Sequence, residues 1–166
     1  MSVEKKSESN EKHEDFINKT IDLALKNLSV TNGGPFAALI TRGDEIIAMG
    51  VNAVVPNLDP TAHAEIIVIR EAAKILKTID LKECVLYTSC EPCPMCLGAS
   101  QWAGIQKIYF ALTMKDAERM GFEDALFYEK FRNPKSLDYP LTINLRTPDA
   151  DRIIEKWLNK SNKTMY

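Results

Sequence analysis

The chain has 166 residues, of which 45% are hydrophobic and 27% are charged, a balance typical of one globular domain with its own core. Its formal net charge is −2, so it lacks the overall basic charge with which proteins bind nucleic-acid phosphates. It also lacks an apolar run of the roughly 18–20 residues needed to span a bilayer and the apolar segment of a secretory signal. We therefore expect a cytoplasmic protein that binds neither a membrane nor nucleic acid.

Apolar spacing along the chain predicts alternating helices and strands. Residues 1–12 are polar and predict a disordered tail, followed by a single domain over residues 13–166. The predicted elements are a helix over 14–29, hairpin strands over 36–41 and 45–52 with Gly43 and Asp44 in the turn, a helix over 61–77, a strand over 84–89, a helix over 94–103, a strand over 107–112, a helix over 123–131, a strand over 141–145 and a helix over 149–159. This order predicts an α/β fold, a three-layer α/β/α sandwich with a mixed five-stranded sheet.

The four cysteines lie too close together in the sequence to form a disulfide framework. Cys90, Cys93 and Cys96 are each three residues apart, and Cys84 precedes them. In a reducing cytoplasm, clustered cysteines indicate metal binding or redox chemistry.

One histidine and two of these cysteines form the pattern of a catalytic zinc site. His63 is predicted in the first turn of one helix, and Cys93 and Cys96 bracket the start of the next. Two helix N-termini could therefore face one point, and their positive ends favour thiolate over thiol. Three protein ligands with an open fourth position are typical of catalytic rather than structural zinc, so we expect one Zn²⁺ per chain.

Glu65 follows His63 by two residues and does not share its helix face closely, so it is expected beside the metal without binding it. Zinc lowers the pKa of water from 15.7 toward about 7, and a nearby carboxylate can take up and return the proton. The pattern His-x-Glu…Pro-Cys-x-x-Cys is a zinc-deaminase signature in its own right.

Other interpretations of the cysteines stay open at this point. The Cys93–Cys96 pair could be a redox pair, although a redox motif needs no upstream His-x-Glu. Cys90 could complete a closed structural zinc site, and the cysteine run resembles an iron–sulfur motif that lacks its fourth cysteine. Cys84 is predicted to be a small core residue.

The stretch from Asn57 to Ala99, NLDPTAHAEI…LYTSCEPCPMCLGA, resembles the cytidine deaminase superfamily in its purine and tRNA-editing branch. Within that branch the chain is most similar to bacterial guanine deaminases. Further features carry this likeness: Gly33-Gly34-Pro35-Phe36, Trp102, Gly121-Phe122-Glu123-Asp124, Phe127-Tyr128 and the terminal Tyr166.

The resemblance implies roles for further residues. It implies substrate contacts for Asn52 and for the ring of Phe36, and it makes Asp124 a second proton carrier. Ala64 and Trp102 are counted among the substrate-binding residues. Tyr166 would close the pocket of a partner subunit in a domain-swapped homodimer.

Each of these roles has a structural alternative. Asn52 could end a strand, Phe36 could belong to the core and Trp102 could serve packing. Asp124 could interact with a helix dipole, and Tyr166 could lie in a frayed end.

The resemblance implies that Glu65 acts as the proton shuttle in hydrolytic deamination of guanine at C2, giving xanthine and ammonia. The rival activities are deamination of adenosine in tRNA, or of cytosine, triazines or a guanine nucleoside. A non-catalytic zinc-binding module is the rival of another class, and Glu65 argues against it because a structural site has no use for an acid beside the metal.

Overall fold

In the computed structural model, the described residues are 4–30, 33–133, 142–147 and 149–163. They form the elements α1 (Glu4–Val30), β1 (Ala37–Arg42), β2 (Glu45–Val51), α2 (Val54–Asn57), α3 (Ala64–Leu76), β3 (Cys84–Cys90), α4 (Pro94–Trp102), β4 (Lys107–Leu112), α5 (Met114–Arg119), α6 (Asp124–Arg132) and α7 (Ala150–Leu158).

The four strands of the described residues form one mixed sheet in the order β2-β1-β3-β4. Strands β1 and β2 form the predicted antiparallel hairpin, in which Gly43 adopts a φ of 59°, a conformation that glycine takes without steric strain. Strand β3 pairs antiparallel with β1 and parallel with β4. The parallel pair needs a crossover, which α4 provides.

Helices cover both faces of the sheet, as the α/β/α prediction requires. Helix α3 packs on β1 and β2 and contacts α4, whereas α1 packs on the other face against β1 and β3. Alternation along the central strands supplies both layers: Ile40 and Leu86 enter the core under α3, while Leu39 and Tyr87 contact α1 through Phe16. Because β1 is buried on both faces, the sheet holds the site residues on a rigid base.

The structure differs from the prediction at both ends of the domain. Helix α1 begins at Glu4, so residues 4–12, predicted as a disordered tail, are helical; charged residues of high helix propensity extend the helix beyond its apolar stripe. The predicted strand over 141–145 is absent from its described part, where Ile143 and Leu145 are exposed and form no ladder. A strand forms only with a partner, which periodicity cannot supply.

Helix α5 is an element that the apolar spacing did not predict. Thr113 caps it, accepting a hydrogen bond from the Asp116 amide while the Asp116 carboxylate accepts one from the Thr113 amide. This Thr-x-x-Asp capping box was the available signal. No described helix is long and apolar enough to span a membrane.

Candidate active site

Two helix N-termini meet beside the carboxyl end of β3. His63 is the N-cap of α3 and Cys93 the N-cap of α4, each in an extended conformation that lets the following residue start a helix. Pro94, at the first position of α4, has a φ suited to that start and needs no amide partner. The positive ends of both helices therefore face the same point, as the sequence predicts, and favour negative charge there.

The nitrogen and sulfur atoms of His63, Cys93 and Cys96 all lie within 4.8 Å of one another, so these residues could hold a metal ion. His63 Nδ1 is 3.7 Å from Cys93 Sγ. A tetrahedral zinc ion with a nitrogen ligand at ~2.1 Å and a sulfur ligand at ~2.3 Å holds those two atoms about 3.6 Å apart. The donor set and its spacing both fit zinc.

The protonation of this group favours a thiolate. Hydrogen bonds from the Cys96 thiol and from His63 lower the pKa of Cys93 to about 4. The bond to Cys93 raises the pKa of His63, whereas donation to Cys93 and burial raise the pKa of Cys96. A thiolate between two donors is the form of cysteine that binds metals.

Glu65 lies beside the ligand group but does not belong to it. Its side chain is 6% exposed. One carboxylate oxygen is 3.1 Å from the Thr88 hydroxyl on β3, and the other is 3.5 Å from the Cys96 thiol. Burial is the main reason that the pKa of Glu65 is raised, which favours the protonated form of this carboxyl group.

A cavity of about 760 Å³ opens onto this group. Six of the residues to which the sequence analysis gave a catalytic, metal-binding or substrate-binding role line it: Phe36, Asn52, His63, Glu65, Cys93 and Asp124. The ring of Phe36 meets that of Phe122 edge-on, with centroids 4.7 Å apart, so aromatic side chains form one wall.

Asn52 has a fixed orientation in the cavity wall. Its Oδ1 accepts hydrogen bonds from the amides of Gly34 at 3.1 Å and Val54 at 3.4 Å. Because the amide oxygen accepts both, the NH₂ group is left for the cavity as a donor.

Asp124 begins α6 on the opposite wall. Burial and, secondarily, the negative charge of Cys93 raise the pKa of Asp124. The Tyr128 hydroxyl, one turn later on α6, donates a 2.8 Å hydrogen bond to the carbonyl oxygen of Pro92. This bond ties α6 to the residue before Cys93 and holds the Asp124 carboxyl near the ligand group.

The family model of the cytidine and deoxycytidylate deaminase zinc-binding region matches residues 10–112, a segment that contains all three residues of the ligand group. The chain belongs to this deaminase family.

Three relatives illustrate the range of the family. Guanine deaminase of Bacillus subtilis strain 168 is 39% identical over 93% of this chain and 99% of its own. Its X-ray structure has a TM-score of 0.87, with 93% of this chain and 98% of that chain covered. A solved relative in complex with 2,6-diaminopurine is 38% identical, with a TM-score of 0.64 and coverage of 68% and 62%. The tRNA-specific adenosine deaminase of Buchnera aphidicola (subsp. Schizaphis graminum) is 35% identical over 60% of this chain and 66% of its own.

Two other residues expected at the substrate, Ala64 and Trp102, are not among the described residues that line the cavity of this deaminase. Ala64 is fully buried in the core under α3, because the first turn of that helix directs it at the sheet. Trp102 is the last residue of α4 and 75% exposed, since it follows the ligand residues by enough turns to leave the site. Tyr166 lies outside the described residues.

The structure also adds contacts that sequence reasoning did not predict. Thr88 contacts Glu65, and Tyr128 anchors α6, contacts that depend on side-chain packing between distant elements. Cys90 lines the cavity but is not in the ligand group: its thiol lies 3.7 Å from the carbonyl oxygen of Thr113, and burial raises its pKa to about 12. A high pKa disfavours the thiolate that metal binding requires.

Proposed function

We propose that this deaminase hydrolyses guanine to xanthine and ammonia, with one zinc ion per chain bound by His63, Cys93 and Cys96. The observation that carries the substrate assignment is the fixed NH₂ donor of Asn52 in the same cavity as Glu65 and the ligand group. Guanine presents two adjacent acceptors, O6 and N7, whereas adenine presents a donor at position six. The near-full-length similarity to a guanine deaminase supports the same assignment.

In this proposal Glu65 moves the protons of the reaction. When bound, zinc supplies Lewis acidity that makes water nucleophilic near neutral pH. As the oxygen of the water forms a bond to C2 of guanine, Glu65 takes one proton from the water and then delivers it to N3. Its raised pKa and its hydrogen bond from Thr88 support this role, because the carboxyl can carry a proton and stays aimed at one place.

Asp124 is proposed to assist the second half of the reaction. The C2–N2 bond breaks as the exocyclic amine gains a proton, and ammonia leaves. Burial raises the pKa of Asp124, which favours the protonated form that can donate. Phe36 and Phe122 offer an apolar surface to the purine ring. Asn52 orients the ring by its acceptor edge.

We further propose a homodimer in which the C-terminal segment crosses to the partner and Tyr166 closes the partner's pocket. Helix α7 bears apolar side chains that are at least 39% exposed: Ile153, Ile154, Trp157 and Leu158. Strand β4 is an edge of the described sheet, and its apolar residues Phe110 and Leu112 are also exposed. An exposed apolar face and an open edge are both features that a second copy would cover.

A single charge on that helix tests the dimer. Ile154→Asp should shift the sedimenting species from dimer to monomer, while Glu155→Gln, on the neighbouring exposed position, should leave it unchanged. A monomeric wild-type protein would contradict the dimer.

Editing of tRNA is the second candidate, favoured by the similarity to tRNA-specific adenosine deaminases. Charge argues against it: in α7 and its flanks, Asp149, Asp151 and Glu155 balance Arg152, Lys156 and Lys160. A balanced helix offers little attraction to phosphates.

Ammonia release distinguishes the candidates. Zinc-loaded protein is assayed with guanine, guanosine, adenine, cytosine, an amino-triazine and folded tRNA, with Glu65→Gln protein as the blank. The proposal expects release from guanine above all others, with xanthine formed in equal amount. Inosine in the tRNA would favour editing, and no release from any substrate, with zinc bound, would favour a non-catalytic module.

A further inference from the structure

Asn27 joins two segments of the cavity wall from outside the cavity. It lies near the end of α1 and is 4% exposed. Its Nδ2 donates hydrogen bonds to the main-chain oxygen of Gly34 at 3.0 Å and to that of Asn52 at 3.1 Å. One buried amide thus holds the loop before β1 and the residue after β2 at a set distance.

The same two segments also bond directly to each other, and here their main-chain N–H groups act as donors. The main-chain N–H of Gly34 donates to Asn52 Oδ1. The main-chain N–H of Asn52 donates to the carbonyl oxygen of Phe36 at 2.8 Å. The main-chain oxygens of Gly34 and Asn52 face Asn27, so the donors and acceptors of this part of the wall are matched in one arrangement only. That arrangement keeps the oxygen of the Asn52 side chain in the wall.

We propose that Asn27 is a positioning residue for substrate selection: it holds Asn52 so that a donor, and not an acceptor, faces the ring. This rests on the proposed function. A site built around a fixed donor favours a ring edge with acceptors and rejects rings that lack them, because the buried donor is otherwise left without a partner.

The close approach of Gly34 to Asn52 points the same way. A Cβ added at Gly34 would lie 3.2 Å from Asn52 Oδ1 and 3.3 Å from its Cγ, tighter than ordinary contact. Glycine here lets the main chain reach the amide oxygen. Gly34→Ala should therefore disturb the Asn52 side chain while every residue of α1 keeps its identity.

The test compares kcat/KM for three substrates: guanine, 2-aminopurine, which lacks O6, and 7-deazaguanine, which lacks N7. Asn27→Asp keeps the size of the side chain but removes both donors. It should lower kcat/KM for guanine by between about tenfold and a hundredfold, mainly through KM, since Glu65 is untouched. Whichever of the two analogues lacks the acceptor that contacts Asn52 should show a far smaller fall in kcat/KM, because it has no such contact to lose.

Thr20→Ala is the matched control. Thr20 is a fully buried polar residue of the same helix, and its hydroxyl bonds within α1 to Ile17. Its loss should lower stability without changing the ratio among the three substrates. Should Asn27→Asp fail to fold, Gly34→Ala should produce the same change of ratio.

An equal fall for all three purines in both Asn27→Asp and Gly34→Ala would overturn the proposal. A wild-type protein inactive on guanine would contradict the proposed function instead. The orientation of the Asn52 side chain in a crystal structure of the Asn27→Asp protein then decides the role of Asn27. An unchanged Asn52 side-chain amide would overturn the proposal.

Discussion

The two walls of the cavity differ in how completely one chain builds them. On the wall formed by α3, α4 and β3, Glu65, Cys93 and Cys96 are each less than a tenth exposed, and the Cys96 thiol contacts both Cys93 and Glu65. On the wall formed by α6, Phe127 is 54% exposed and Phe131 is 59% exposed. Both walls contribute lining residues to the same cavity.

The difference separates chemistry from enclosure. The first wall is packed against a double-sided sheet, so its groups are held in place without help from another chain. The second wall leaves an apolar surface open beside the reacting groups, where a cover would exclude water and strengthen electrostatic interactions. Changes to the first wall should therefore abolish the reaction, and changes to the cover should weaken it.

Removing the metal should have the largest effect. Chelation should reduce guanine turnover to background, and added Zn²⁺ should restore it. Cys96→Ala should lower zinc content well below one ion per chain, whereas Cys84→Ala, a buried cysteine outside the cavity, should retain the metal. Metal analysis of each protein measures this, and loss of zinc from Cys90→Ala would contradict the three-residue ligand group.

Glu65→Gln should have the next largest effect on guanine turnover. Gln keeps the size and hydrogen bonding of the side chain but cannot carry a proton. General acid–base groups contribute ~10²–10⁴-fold, and Glu65 acts more than once per turnover, so we expect a loss in kcat at or beyond the upper end of that range. Zinc content should not change. Retention of more than about a tenth of the wild-type rate would mean that another group moves the proton.

Deleting Met165 and Tyr166 tests the cover alone. We expect guanine turnover to fall by at least about tenfold, because water would enter the cavity. Zinc content and the thermal unfolding temperature should stay nearly unchanged, since the buried core of the described residues and the ligand group use neither Met165 nor Tyr166. Deletion of the two residues with the full rate preserved would favour a frayed end.

Thr88→Val should have the smallest effect of the four. Valine keeps the shape of threonine but loses the hydroxyl 3.1 Å from Glu65 Oε1, so the carboxylate loses one of the contacts that aim it. We expect kcat to fall about tenfold with little change in KM. Thr88→Ser should recover most of the rate. Equal losses in the Val and Ser variants would indicate a packing role.

Local sequence determined the elements and the chemistry of the first wall. The hairpin and the parallel strand agree with the predicted spans to within a residue or two, because alternation and Gly43 are signals contained in a few neighbouring residues. The group of His63, Cys93 and Cys96 was recognisable for the same reason: two short spacings placed the ligands at two helix starts.

Tertiary structure decided what depends on residues far apart in the chain. The crossover from β3 to β4 brings the start of α4 to the start of α3, and only side-chain packing connects Asn27 with Asn52 across 25 positions. Periodicity could not show that residues 142–145 lack a partner strand or that Trp102 leaves the site, because pairing and direction are properties of the surroundings. A residue's own neighbours specify its element and its chemistry, whereas the fold specifies which of those residues meet.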